Sequence, residues 1–262
     1  MSNTTARLRT KTGLAIGAVA LALGLGEPSQ ATSSPKSQSM NKSQTSCDTS
    51  KVLTARQLAI GPVAAFAAAG NMKGLSTALN QGLDAGLSVS DAKEILVQLY
   101  AYAGFPRSLN ALGELMKVLE VRKQQGIADA PGSEPVQPIP KGDQLLAAGT
   151  TNQTKLLGAT VKGPLFDFAP VANEYLRSHL FGDIFERDNL DWQSRELATV
   201  SMLAALEGVE PQLQAHIRIS MNIGLSTKQL RQLSELLGER VSAATGQRAI
   251  NALETVSTVP GC

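Results

Sequence analysis

The fold is decided by residues 194–226, whose sequence is SRELATVSMLAALEGVEPQLQAHIRISMNIGLS. In its part LATVSMLAAL, at 197–206, threonine and serine are the only polar residues. A helix that is apolar on every side has to be buried on every side. Pro211 suits the first turn of a second helix, and Gly224 suits the left-handed residue that ends it. This stretch therefore predicts two helices packed in the core of an all-α protein.

The same pattern occurs twice in the chain. A shift of 138 residues places the GLS at 86–88 on the GLS at 224–226. Further along, a shift of 141 residues places RSLNAL at 107–112 on RAINAL at 248–253. Matching glycines and apolar positions over about 60 residues indicate an internal duplication.

Capping signals and prolines set the predicted boundaries. Thr54 with Gln57 and Ser226 with Gln229 have the spacing of a capping box. Residues 128–143 contain four prolines and are typical of a linker. The predicted helices are 54–69, 72–85, 89–103, 107–125, 172–187, 192–207, 211–223, 227–237 and 243–257. The predicted domains are a signal peptide at 1–31, a disordered tail at 32–51, a first module at 52–127, a linker at 128–171, a second module at 172–258 and a C-terminal tail at 259–262.

Residues 1–31 have the composition of a secretory signal. Basic residues precede an apolar run at 13–26, and small residues follow at 29 and 31. The run is shorter than the ~20 residues that a membrane-spanning helix needs, so an uncleaved anchor is the weaker alternative. We expect an exported protein, periplasmic or secreted, with no membrane span after cleavage. The net charge of +2 falls near zero without this segment, so nothing in the charge indicates nucleic-acid binding.

The chain has two cysteines, Cys47 and Cys262, and both lie outside the predicted modules. In an oxidising compartment they are able to form a disulfide, within one chain or between subunits. Two unpaired thiols in the tails are the equal alternative. Neither alternative gives the cysteines a catalytic role.

The segment 194–226 resembles the carboxymuconolactone decarboxylase family. In that family an R-E-L helix leads through a glycine turn to a helix that carries a histidine and stops at G-L-[ST]. The sequence QLYAYAGFPR at 98–107 resembles the family's YAGFP turn. The resemblance implies two tandem helical modules packed together, a homo-oligomer, and a lyase that needs no cofactor. The implied reaction is decarboxylation or lactone isomerisation of a small carboxylated compound.

The resemblance also implies a site around two ionisable residues, His216 and Glu196. Imidazole titrates near neutral pH and is suited to proton transfer, so His216 is expected to move the proton and Glu196 to orient it. Arg195 and Arg107, with Tyr102 beside the glycine turn, are expected to bind the substrate carboxylate. The alternatives are structural: a half-buried histidine bonded to a backbone carbonyl, an ion pair between Glu196 and Arg195, and packing roles near the turn.

Two other functions stay open at this point. Alkylhydroperoxidase D-like members of the same superfamily, which have peroxiredoxin-type activity, place a Cys-x-x-Cys pair at the start of the histidine helix. Here those positions hold approximately Val209 and Gln212, so the sequence disfavours a thiol peroxidase. A non-catalytic binding or assembly protein on the same scaffold is the third function. His179 is expected to be structural, and two histidines without Cys or Asp at ligand spacing do not predict a metal site.

Overall fold

The computed structural model describes residues 52–257, and within that range it contains helices and connecting turns but no strand. The predicted signal at 1–31, both cysteines and the tail at 259–262 lie outside the described residues. The α-helices are α1 (Ala55–Ala69), α2 (Met72–Asp84), α3 (Val89–Gln98), α4 (Tyr100–Gln124), α5 (Asp143–Leu157), α6 (Pro164–Phe168), α7 (Pro170–Tyr175), α8 (Trp192–Ala204), α9 (Glu210–Asn222), α10 (Thr227–Arg240) and α11 (Ala243–Ser257), and a π-helix at Leu176–Ile184 follows α7.

Two apolar helices, α1 and α8, form the centre of the molecule. Every residue of α8 from Ser194 to Ala204 is buried. Its neighbours are α1, α4, α9 and α11. The prediction that 197–206 is buried on all sides is confirmed as far as residue 204, and helices of this same chain provide the cover.

The predicted caps position these helices as expected. Both capping boxes are present, with Thr54 paired to Gln57 and Ser226 paired to Gln229. Pro211 lies in the first turn of α9, and Gly224 just beyond that helix has a positive φ of 97°. The first residues of α2 and α3 lie 138 positions before those of α9 and α10, the offset of the sequence repeat.

The break expected at 104–106 is present, inside α4. The boundary between α3, which ends at Gln98, and α4, which begins at Tyr100, was not predicted, and Leu99 between them has the helical angles φ −53° and ψ −34°. Gly104 interrupts α4 with φ 81° and ψ 159°, a conformation that residues with a Cβ rarely adopt. The residues before this kink therefore form a short turn of helix of their own.

Part of the segment predicted as a linker, 128–171, is helical and packed. Helix α5 lies against the π-helix, and its buried residues include Gly149, Asn152 and Gln153. Asn152 donates a hydrogen bond of 2.9 Å to the carbonyl of Phe181. Because this helix buries polar side chains through hydrogen bonds, it lacks the apolar stripe by which a helix is predicted.

The predicted helix at 172–187 is replaced by α7 and the π-helix. A Cβ on Gly149 would lie 1.7 Å from the carbonyl oxygen of Arg177, so the two backbones approach each other closely there. No helix among residues 52–257 is long and apolar enough to cross a bilayer.

Candidate active site

Helices α8 and α9 place Glu196 against His216. The side chain of Asp191 caps α8 by accepting a hydrogen bond of 2.8 Å from the amide of Ser194. This cap fixes the start of α8, so that Glu196 lies in its first turns facing α9. His216 Nδ1 is 2.8 Å from Glu196 Oε2. The carboxylate is fully buried, and His216 is 8% exposed.

This contact determines which nitrogen of His216 is available. A carboxylate oxygen accepts hydrogen bonds, so the contact is a hydrogen bond in the tautomer of His216 whose Nδ1 donates to Glu196 Oε2. His216 Nε2 forms no hydrogen bond within residues 52–257. The arrangement is that of an acid–base group held by an orienting carboxylate.

Tyr102 completes the cluster from α4. Its ring meets the imidazole of His216 edge to face, with the two centroids 5.5 Å apart. Burial, and next the charge of Glu196, raise the pKa of the Tyr102 hydroxyl above its ordinary value, so it stays protonated. The hydroxyl oxygen of Tyr102 and Oε1 of Glu196 are both buried without a hydrogen bond of normal geometry. Such atoms are uncommon in folded proteins, so each retains an unused capacity for a hydrogen bond.

Arg195, predicted to bind the substrate carboxylate, forms its hydrogen bonds with residues other than Glu196, and its Nε is buried without a hydrogen bond. Its guanidinium is fully buried and donates to Glu94 at 3.0 Å and to the carbonyl of Arg187 at 2.8 Å. Adjacent residues point about 100° apart around a helix axis, so Arg195 and Glu196 face different neighbours. No hydrogen bond or ion pair joins Arg195 to Glu196 among the described residues.

Glu94 is the buried carboxylate that the sequence did not reveal. Arg187 contacts both of its oxygens, with the shortest distance 2.6 Å. Burial alone would raise the pKa of Glu94, but the hydrogen bonds from Arg187 and the charge of Arg195 lower it below 4.5. On α3 its neighbours Asp91 and Gln98 are also polar and buried, so no apolar stripe marks this face of the helix as part of the core.

Arg107, the other arginine predicted to bind the substrate carboxylate, lies on α4. Arg107 is half-buried and has no hydrogen bond or ion pair within the described part of the chain.

The first module does not repeat the residues of the site. The position that matches His216 holds Ala78, and the positions that match Val209 and Gln212 hold Asn71 and Gly74. Asn71 caps α2 by accepting a hydrogen bond of 2.9 Å from the amide of Gly74.

His179, expected to be structural, contacts two polar side chains. Its Nδ1 lies 2.6 Å from Asp183 Oδ2, and its Nε2 contacts the hydroxyl of Tyr100. Residues 52–257 contain no group of three or more His, Cys, Asp or Glu side chains placed to hold a metal ion.

One comparison with known proteins gives a match. The model of the carboxymuconolactone decarboxylase family matches residues 170–257, which include α8, α9, Glu196 and His216. No curated protein matches the chain. The matched range begins and ends within two residues of the predicted second module, 172–258. Through residues 170–257, the chain therefore carries a domain of the carboxymuconolactone decarboxylase family.

Proposed function

We propose that this protein is an enzyme that transfers a proton to or from a small carboxylated compound, with His216 as the acid–base group. The observation that carries the proposal is the buried contact of 2.8 Å between His216 Nδ1 and Glu196 Oε2. It orients the imidazole and stabilises the imidazolium that forms when Nε2 takes a proton. The family domain at 170–257 supports chemistry of this class.

Decarboxylation and lactone isomerisation both require this acid–base step. When a ring carboxylate leaves as CO2, its electron pair stays on the substrate, and the His216 imidazolium supplies the proton that neutralises it. In an isomerisation, neutral His216 takes a proton from one carbon and returns it to another. Tyr102, whose hydroxyl keeps its proton, is placed to donate a hydrogen bond to the lactone oxygen on which negative charge develops.

Arg107 is the group that we propose for binding the substrate carboxylate. Arg195 is already held by Glu94. Arg107 is half-buried, has no ionic partner within residues 52–257, and follows the Gly104 kink on the helix that carries Tyr102. A guanidinium binds a carboxylate through two parallel hydrogen bonds.

The remaining features of the proposal concern the whole protein. We propose that it is exported by its N-terminal signal and that it forms homo-oligomers. We also propose that the first module, which contains α1–α4, is a diverged copy of the family module at 170–257. Exposed apolar side chains on α4, such as Leu109 and Met116, support self-association because such surface is costly in water. The family match at 170–257 is compatible with the alkylhydroperoxidase alternative too, but approximately Val209 and Gln212 lie where its cysteine pair would be, which disfavours a thiol mechanism.

The test is turnover by the purified protein with a panel of cyclic and lactone carboxylic acids. Replacing His216 with Gln is expected to lower kcat/KM by about 100-fold or more, the usual contribution of general acid–base catalysis. Glu196→Gln should lower it as well, whereas Glu235→Gln, at an exposed carboxylate of α10, should not. Full activity of His216→Gln would exclude the proposed mechanism.

A further inference from the structure

A second cluster of ionisable side chains lies around His179 in the π-helix. Asp183, four positions later, places Oδ2 2.6 Å from His179 Nδ1. The hydroxyl of Tyr100 contacts His179 Nε2. About half of the His179 side chain, 51%, and 42% of the Asp183 side chain are exposed to solvent. A small molecule can therefore reach this cluster directly.

The orientation of His179 follows from its carboxylate. A carboxylate oxygen accepts hydrogen bonds, so His179 Nδ1 donates to Asp183 in this contact and Nε2 is the nitrogen left for other partners. This nitrogen faces the Tyr100 hydroxyl, which gives a chain of three groups from carboxylate to phenol. Wide π-helical turns occur frequently at functional sites.

Tyr100 is held in place at the end of this chain. Its ring stacks on Phe105 with centroids 4.5 Å apart and ring planes within 4° of parallel. Burial, and next the charge of Asp183, raise the pKa of Tyr100 to about 12. The hydroxyl is therefore a phenol at neutral pH and donates a hydrogen bond. Phe105 is 59% exposed and adds apolar surface beside it.

This cluster is separate from the one around His216. Tyr100 and Tyr102 are two positions apart, which places them about 200° apart around a helix axis. Each of them contacts a different histidine, His179 or His216. No hydrogen bond joins the two clusters within the described residues.

We propose that Tyr100, His179 and Asp183 form a second acid–base site that binds small neutral carbonyl compounds and promotes their enolisation. When a carbonyl compound binds, the Tyr100 hydroxyl donates a hydrogen bond to the carbonyl oxygen, and Nε2 of neutral His179 takes the α-proton. An enolate and the His179 imidazolium are formed. The imidazolium then gives this proton to the enolate oxygen, which yields the enol and restores neutral His179. The negative charge of Asp183 in the cluster favours a neutral ligand over a carboxylate.

Exchange of the α-hydrogens of cyclohexanone in D2O, followed by NMR, tests this site. The wild-type protein is expected to exchange them at least about 10-fold faster than the Tyr100→Phe and His179→Gln proteins, within the range of acid–base catalysis. Tyr175→Phe, at the exposed third tyrosine, is the matched control and should exchange at the wild-type rate. Asp183→Asn should shift the pH midpoint of exchange, an effect that a merely structural carboxylate would not have.

Two outcomes would overturn the proposal. One is a Tyr100→Phe protein that exchanges at the wild-type rate, and the other is a wild-type protein no faster than His179→Gln. If Tyr100→Phe does not fold, the half-exposed His179→Gln protein gives the same comparison. The His179 imidazole 15N signals are also expected to move when cyclohexanone is added to the wild-type protein.

Discussion

Two buried carboxylates of this protein, Glu196 and Glu94, have different surroundings and therefore different roles. Oε2 of Glu196 contacts Nδ1 of His216, and Oε1 of Glu196 has no hydrogen bond of normal geometry. Glu94 is held by the guanidinium groups of Arg187 and Arg195. A buried charge is costly unless it is paired, so the two arginines keep Glu94 ionised as part of the structure. Glu196, with one titratable partner, suits proton transfer.

Replacing Glu94 with Gln is expected to lower the free energy of unfolding by about 3–5 kcal/mol at pH 7, because it leaves Arg195 buried without a counter-ion. The lowered pKa of Glu94 means that its stabilising effect is complete above the ordinary value of 4.5 and is lost as the pH falls through the folded-state pKa. The difference between the two proteins should therefore be smaller at a pH below 4.5 than at pH 7. Urea denaturation at both pH values measures it.

The matched control is Glu134→Gln, which removes an exposed ion pair with Lys93. Such pairs contribute at most about 1 kcal/mol. A loss of stability in Glu94→Gln that is equal at both pH values would show that the ionised form of Glu94 has no stabilising role.

The sequence predicted the contact between Glu196 and His216 but not the partners of Arg195. The first two residues are separated by 20 positions, across one glycine turn between neighbouring helices. Glu94 is 101 positions from Arg195, and no periodicity within a single helix shows a contact between distant helices. The pattern also gave no reason to pair His179 with Tyr100, 79 positions away.

Among the helices, α5 and the π-helix approach each other so closely that one position requires glycine. We expect Gly149→Ala to lower the free energy of unfolding by about 1–3 kcal/mol, the usual cost of an added methyl group in a packed interface. The physical reason is that the new Cβ would lie 1.7 Å from the carbonyl oxygen of Arg177, and backbone must move to admit it. Thermal or urea unfolding measures this loss.

Gly113→Ala on α4 is the matched control, because a Cβ there meets no atom within 4 Å. Alanine in a helix is favoured over glycine by up to about 1 kcal/mol, so this variant should be as stable as the wild type or more stable. If both variants behave alike, the close approach at Gly149 does not limit the packing of α5.

The boundaries of helices that have apolar faces and capping boxes were predicted closely, whereas the residues of α5 were assigned to a linker. Helix α10 begins after Ser226, as its capping box predicted, but runs to Arg240 rather than 237. Helix α5 has no side-chain cap, and three of its four buried residues are glycine, asparagine and glutamine. It is held by the hydrogen bond from Asn152 to Phe181 of the π-helix and by Leu156, which packs on apolar side chains of the same segment, and a single-segment pattern does not reveal such contacts.

At the scale of the whole molecule, both halves of the chain build the site. Tyr102 comes from α4, while Glu196 and His216 come from the family domain at 170–257. Helix α1 packs on α8, and Gln98 of α3 donates a hydrogen bond of 2.7 Å to Thr199. These contacts fix α8 against the first half, so the position of Glu196 depends on residues outside the matched domain.

The imidazole 15N spectrum of His216 tests the central claim most directly, since the chain has only one other histidine to distinguish from it. We predict that neutral His216 carries its proton on Nδ1, that Glu196→Gln changes this signal, and that Tyr102→Leu moves the ring protons by removing an aromatic edge 5.5 Å away. A proton on Nε2 in the neutral wild-type protein, or a spectrum that neither substitution alters, would contradict the claim that three helices bring these side chains together.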